Sequence, residues 1–268
     1  MIVSARVTHG WTEHDGRLLH HLDFGGPGRP VVCVHGVTSC AWVWHDAIAA
    51  GLPADGHAVA VDLRGHGDSG WAPPDRYGTA DHADDLQAVL DAIGAADADL
   101  VGSSWGALVA LAVAARRPDV VHRLVLVDIE PSFGQGETDI PPRPSHFAGV
   151  GDAAAFWRTN NPGAPDDLVA LLAAAATRPA PGGLVPAHDP LFLERWPFRS
   201  EDWWAALEAV TAPTLVVHAE RSWVRADVCD EMAARLREAE RVDIPSAHVV
   251  PVDAPVALAR AVGAFLAG

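Results

Sequence analysis

Gly102-Ser103-Ser104-Trp105-Gly106 follows the spacing Gly-x-Ser-x-Gly, between an apolar run ending at Val101 and an amphipathic stretch opening at Trp105. A strand that hands over to a helix within so few residues needs a very tight turn. A serine at its apex is held in strained backbone geometry with its hydroxyl presented at the sheet edge, and bulkier side chains at the flanking glycines would strike neighbouring elements. Ser104 alone stands at the apex, which makes it the candidate nucleophile. Glycine and serine are common enough for the bare pattern to arise by chance, so its chemical meaning comes from the strand-to-helix context.

A serine hydroxyl needs a base to attack. Of the fourteen histidines, His248 lies in Pro245-Ser246-Ala247-His248, a loop between the last predicted strand and the C-terminal helix, and is the candidate general base. His218 falls inside a predicted strand and reads as structural. Val34-His35-Gly36-Val37 follows the first buried strand, where a glycine lets the chain turn so that the next N–H faces the nucleophile. The backbone amides of Val37 and Trp105 are therefore the candidate oxyanion hole, in which losing one donor costs about 3 kcal/mol of transition-state stabilisation.

These residues need a scaffold that brings loop ends together. Arg17–Phe24 reads as an early strand, and Val31–Val34 as a short apolar strand covered on both faces. Then come a helical stretch near Trp42–Leu52, a strand at Ala58–Val61, a helix over Asp81–Ile93, a strand at Ala98–Val101, a helix over Trp105–Arg117 and a strand at Arg123–Val127. From Pro131 to about Ser200 the alternation breaks into Pro- and Gly-rich pieces around short helical segments such as Asp166–Ala176. A strand at Thr214–Val217, a helix over Asp227–Glu238, a strand near Arg241–Ile244 and a helix over Pro255–Leu266 complete the pattern. Repeated β-then-α order predicts an α/β fold with a mainly parallel, doubly wound sheet. Residues 1–130 and 206–268 would form the core, and residues 131–205 an inserted, mostly helical cap.

Composition narrows the function classes. The chain has 268 residues, 49% hydrophobic and 20% charged, enough for one large α/β domain or two small ones at about 100–200 residues per domain. Its 19 basic residues, all arginine, face 35 acidic ones for a net charge of −16, which argues against nucleic acid and anionic membrane surfaces as partners. Met1–Arg6 shows no leader pattern and Ala107–Ala115 is too short to span a bilayer, so a cytoplasmic protein is expected. Cys33, Cys40 and Cys229 form no Cys-x-x-Cys pair, which argues against a disulfide framework or a structural zinc site, and no metal site is expected. Gly65-His66-Gly67-Asp68-Ser69-Gly70 satisfies Gly-x-Gly-x-x-Gly, but Trp71-Ala72-Pro73-Pro74 follows where a dinucleotide site needs a helix N-terminus.

His35-Gly36, Asp62-Leu63-Arg64-Gly65-His66-Gly67-Asp68-Ser69, Gly102-Ser103-Ser104-Trp105-Gly106 and Ala247-His248, in this order over almost the whole chain, resemble the α/β-hydrolase fold family. The resemblance implies a Ser–His–acid triad. The chain departs from the usual pattern at the acid, because His218-Ala219-Glu220-Arg221-Ser222 puts Ser222 where an Asp commonly stands. Some ester and lactone hydrolases carry the acid after the preceding core strand. That choice selects Asp128, with Glu130 and Glu220 as alternatives. The implied activity is cofactor-free hydrolysis of a carboxylic ester or lactone through an acyl-enzyme. The rivals are a cofactor-independent dioxygenase or lyase using the His–acid pair, and a non-catalytic ligand receptor.

Ten tryptophans suggest an apolar pocket for a hydrophobic small molecule, with Trp42, Trp157 and Trp196 as candidate walls. Arg143 and Arg158, in the expected cap, read equally well as solvated.

Overall fold

The computed structural model describes residues 7–53, 56–134 and 136–268. Met1–Arg6, read above for a leader, lies outside the described residues. Along the chain come β1 (Thr8–His14), β2 (Arg17–Gly25), β3 (Pro30–Val34), α1 (His45–Ala49), β4 (His57–Val61), α2 (Thr79–Ala92), β5 (Ala98–Ser103), α3 (Trp105–Arg116) and β6 (Val121–Val127). They are followed by α4 (Val150–Asn160), α5 (Asp166–Ala175), β7 (Thr177–Ala180), β8 (Gly183–Pro186), α6 (Trp204–Ala209), β9 (Thr214–Ala219), α7 (Ala226–Arg235), β10 (Ala239–Ile244), α8 (Val250–Asp253) and α9 (Pro255–Ala267).

Period-two burial on both faces explains the central strands. Val32, Val34, Leu100, Leu124 and Leu126 pack under α2, α3 and α7, while Val31, Cys33, Val101, Val125 and Val127 face α1 and α9. The eight-stranded sheet has the order β1-β2-β4-β3-β5-β6-β9-β10, parallel from β4 to β10. Two antiparallel strands, β1 and β2, close one edge. Helix α3 is apolar all round, with Trp105 through Ala114 buried, as befits a helix packed centrally on the sheet.

The structure differs from the sequence reading in three places. Strand β1 carries a mostly polar, exposed edge that its residues do not advertise as a strand. The helix expected over Trp42–Leu52 is a 3₁₀ turn, Ala41–Trp44, followed by the five residues of α1. Between β6 and β9 lie helices, as expected, but also the β7–β8 hairpin, which Pro179 and Pro186 disguise because proline donates no ladder hydrogen bond. The intervening segment is tied to the loop between β4 and α2 by Gly67 N–H to Ala187 O at 2.7 Å, Asp189 N–H to Gly65 O at 2.7 Å and Tyr77 O–H to Asp189 Oδ2 at 2.7 Å. All three cysteines are free and buried. No described helix is long and apolar enough to cross a membrane.

The loop after β4 is fixed by a buried ion pair. Arg64, 1% exposed, donates to Asp85 through Nε at 2.6 Å and Nη2 at 2.7 Å, and to the carbonyls of Arg76 and Asp81. Deleting one partner strands a buried charge, at a cost of about 3–5 kcal/mol. Asp85→Ala is therefore expected to lower unfolding stability by that order in a urea titration; a loss below about 1 kcal/mol would contradict this role for the pair.

Candidate active site

Strand β5 ends against the N-terminus of α3 with no room for side chains at either glycine. A Cβ on Gly102 would lie 2.3 Å from Gly106 O, and one on Gly106 would lie 2.3 Å from Val34 O. Ser104, between them, adopts φ +54° and ψ −128°, a conformation that L-residues avoid. Its N–H donates to Val127 O at 2.8 Å, which pins the bend to the end of β6.

Asp128 follows β6 directly, at φ +50°, a left-handed conformation that Asp tolerates better than most residues. It is 1% exposed, and its position is set from the next strand: its N–H donates to Val217 O, and its Oδ1 accepts Ala219 N–H, both at 2.8 Å. The free carboxylate oxygen, Oδ2, lies 2.6 Å from His248 Nδ1. Because an ionised carboxylate only accepts, Nδ1 carries the proton and Nε2 is left as an acceptor. Nε2 lies 3.0 Å from Ser104 Oγ, positioned to receive its O–H.

The structure thus brings Ser104, His248 and Asp128 into one hydrogen-bonded line. It does not bring Glu130 or Glu220 to the imidazole. Glu130 accepts Arg225 N–H at 3.0 Å, and Glu220 is exposed beyond β9. Ser222 Oγ stands 3.5 Å from His248 Nδ1, and accepts Val224 N–H at 3.1 Å.

Gly36 places the turn after β3 beside the nucleophile: a Cβ there would sit 3.3 Å from Ser104 Oγ. Among the described residues, the N–H groups of Val37 and Trp105 meet no protein acceptor. Two buried histidines hold this turn. His35 donates from Nδ1 to Gly36 O at 2.7 Å and accepts Leu63 N–H; His66 donates to Arg64 O at 2.9 Å and accepts Thr38 N–H at 3.0 Å. Burial pushes both imidazoles below their ordinary pKa, His66 well below, so both stay neutral and keep the accepting lone pair that these bonds need. This is the work of the Asp62–Ser69 segment, whose sequence gave a motif without a role. Asp62 adds a bond from Ala41 N–H at 2.6 Å.

Two further residues near His248 escaped sequence reading. Asp253 accepts from Ala247 N–H at 2.7 Å, Gly163 N–H at 2.6 Å and Arg221 Nη2 at 2.9 Å, anchoring the histidine loop; only the fold brings these groups together. The Trp223 indole lies 4.9 Å from the His248 ring.

A cavity of about 590 Å³ opens over Ser104 and His248. Trp157 and Trp196 line it, as do Phe133, Phe156, Phe198 and Trp223. Trp42 is not among its walls and lies instead near His9 and His45. Arg143, for which the sequence leaves a solvated position as an equal alternative, also faces the cavity, whereas Arg158 pairs with Asp166 and the Ala164 carbonyl. Outside the cavity, His9, His20 and Asp68 present ligand atoms within 4.8 Å of one another, but His20 already bonds His9 at 2.8 Å and Asp68 holds Arg178.

Comparison with known proteins places this geometry in context. The sequence model of the alpha/beta hydrolase fold matches residues 29–177. A 2-(acetamidomethylene)succinate hydrolase of Mesorhizobium japonicum is 28% identical over 259 residues, covering 94% of this chain and 92% of that protein. An esterase of Mycobacterium tuberculosis is 37% identical over 119 residues, 44% of this chain and 39% of its own. Among solved structures, the thioesterase domain from the curacin biosynthetic pathway superposes with a TM-score of 0.85 at 22% identity, over 96% of this chain and 99% of that one.

The carboxylates can be separated on one activated aryl ester. Asp128→Asn is expected to lower turnover about 10⁴-fold, the scale seen when a triad acid is neutralised. Glu130→Gln and Glu220→Gln are expected to stay near wild type. Near-wild-type turnover in Asp128→Asn alone would move the acid elsewhere.

Proposed function

Since this chain belongs to the α/β-hydrolase fold family, we propose that it is a cofactor-free serine hydrolase cleaving a carboxylic ester or lactone of a small, largely apolar molecule. The observation that carries the reading is the continuous relay from Asp128 Oδ2 through His248 to Ser104 Oγ, at 2.6 and 3.0 Å. His248 Nε2 takes the hydroxyl proton as Ser104 attacks the carbonyl carbon, and Asp128 stabilises the imidazolium that forms. The amides of Val37 and Trp105 receive the negative oxygen of the tetrahedral intermediate. His248 then returns its proton to the departing alcohol, leaving an acyl-Ser104, and activates a water that hydrolyses it.

The relatives support this reading in kind. One is named for hydrolysis of a succinate derivative and another is an esterase. In this proposal residues 131–205 act as a cap, contributing Trp157, Trp196, Phe198 and Arg199 to the cavity over the nucleophile.

Ser104→Ala is expected to abolish turnover of an activated aryl ester while leaving the fold, read by circular dichroism, unchanged. Oxygen uptake, or turnover that survives Ser104→Ala, would instead point to the His–Asp pair abstracting a substrate proton without an acyl-enzyme.

A further inference from the structure

Arginine is the sole basic residue type beside histidine in this chain, and most of its guanidinium groups have protein partners. Arg64 holds Asp85, Arg178 holds Asp68, Arg221 holds Asp253 and Arg241 holds Asp230, while Arg237 and Arg260 stand exposed to water. Arg143 and Arg199 do neither. Both line the cavity over Ser104, both are only partly exposed, and the Nε of each is buried without a hydrogen-bond partner. Among the described residues, neither guanidinium donates a hydrogen bond or forms an ion pair.

What they touch instead is aromatic. The Arg143 guanidinium lies 5.2 Å from the Trp196 ring, and Arg199 lies 5.9 Å from the same ring and 5.2 Å from Phe133. Such stacking orients a guanidinium but leaves its donors unspent. Asp139 acts on Arg199 from a distance, without an ion pair or hydrogen bond to it. Glu130 is the one carboxylate among the cavity's lining residues, and it is already engaged by Arg225. Two cations therefore converge on one aromatic wall, in a chain whose net charge is −16. Burial lowers both arginines, Arg143 to about 10, and each still carries its charge at neutral pH.

Unpaired, half-desolvated cations are costly unless an anion completes them. We infer that Arg143 and Arg199 form an anion subsite beside Trp196, and that the substrate is a carboxylate-bearing ester, such as a half-ester of a dicarboxylic acid, whose carbon chain lies along the aromatic wall. A carboxylate fits this place better than a phosphate dianion. Its two coplanar oxygens match the guanidinium fork, and it gives up less hydration on entering a cavity with so much apolar wall. The word ester rests on the hydrolase reading above; the anion site does not.

The test pairs turnover with binding. Aryl half-esters of C4 to C6 dicarboxylic acids are compared with the same compounds capped as methyl esters, in wild type, Arg143→Gln, Arg199→Gln and the double variant. Wild type is expected to favour the anionic series at least about tenfold in kcat/KM, and each single variant to lose about 10–100-fold on that series alone, as for loss of a charge-assisted hydrogen bond. Equal rates on both series in wild type, or an equal fall on both series in the variants, would overturn the subsite. In parallel, thermal unfolding is followed with free glutarate and with inorganic phosphate. Stabilisation by glutarate that disappears in the double variant supports the site even if no ester is turned over, in which case the hydrolase reading alone fails. No stabilisation by glutarate, or stabilisation by phosphate in its place, would overturn the carboxylate assignment.

Discussion

Three side chains from the ends of three different parallel strands must meet within hydrogen-bonding distance, and that requirement governs the rest of the molecule. Ser104 follows β5, Asp128 follows β6 and His248 follows β10, so the register of a sheet, rather than any local motif, sets the 2.6 and 3.0 Å separations. Parallel α/β sheets concentrate their loops at the carboxyl edge, where backbone groups left over from the ladder can be used to hold side chains. Here they are used directly. The N–H of Ser104 and the N–H and Oδ1 of Asp128 are tied to neighbouring strands, so two of the four described non-glycine residues with positive φ are held in place by the sheet.

A second layer fixes what the sheet does not reach. The turn bearing Val37 hangs on neutral His35 and His66, and the loop bearing His66 hangs in turn on Arg64 and Asp62. The loop bearing His248 hangs on Asp253. Each support is a buried polar group with its partners supplied, which lets charge and hydrogen-bonding capacity sit beside an apolar core without the penalty of unsatisfied groups.

Much of this is legible in the amino-acid sequence. The continuous apolar run Val31–Val34 marks a buried strand because both of its faces are covered, the repeated β-then-α order marks the strands at Ala98–Val101 and Arg123–Val127, and Gly102 and Gly106 mark the bend because a Cβ at either has no space. Other features were hidden for physical reasons. Strand β1 lies at an edge and needs no apolar pattern; the β7–β8 hairpin contains prolines; Asp253 serves groups far apart in sequence. In its Pro-rich stretch Arg143 reads equally well as solvated, and only the cavity shows that it lies against Trp196 with its Nε buried and without a hydrogen-bond partner. Trp42 illustrates the reverse: closeness in sequence to the turn after β3 did not put its ring in the cavity.

In the proposed mechanism the hydroxyl at position 104 is the activated nucleophile. The most direct measurement treats the native protein with a fluorophosphonate, which captures serine nucleophiles activated in this way, and follows intact mass and the modified peptide. The account predicts a single adduct, mapped to Ser104 and absent from the Ser104→Ala protein. An adduct on Ser103 or any other residue, or no adduct on the folded protein, would contradict it.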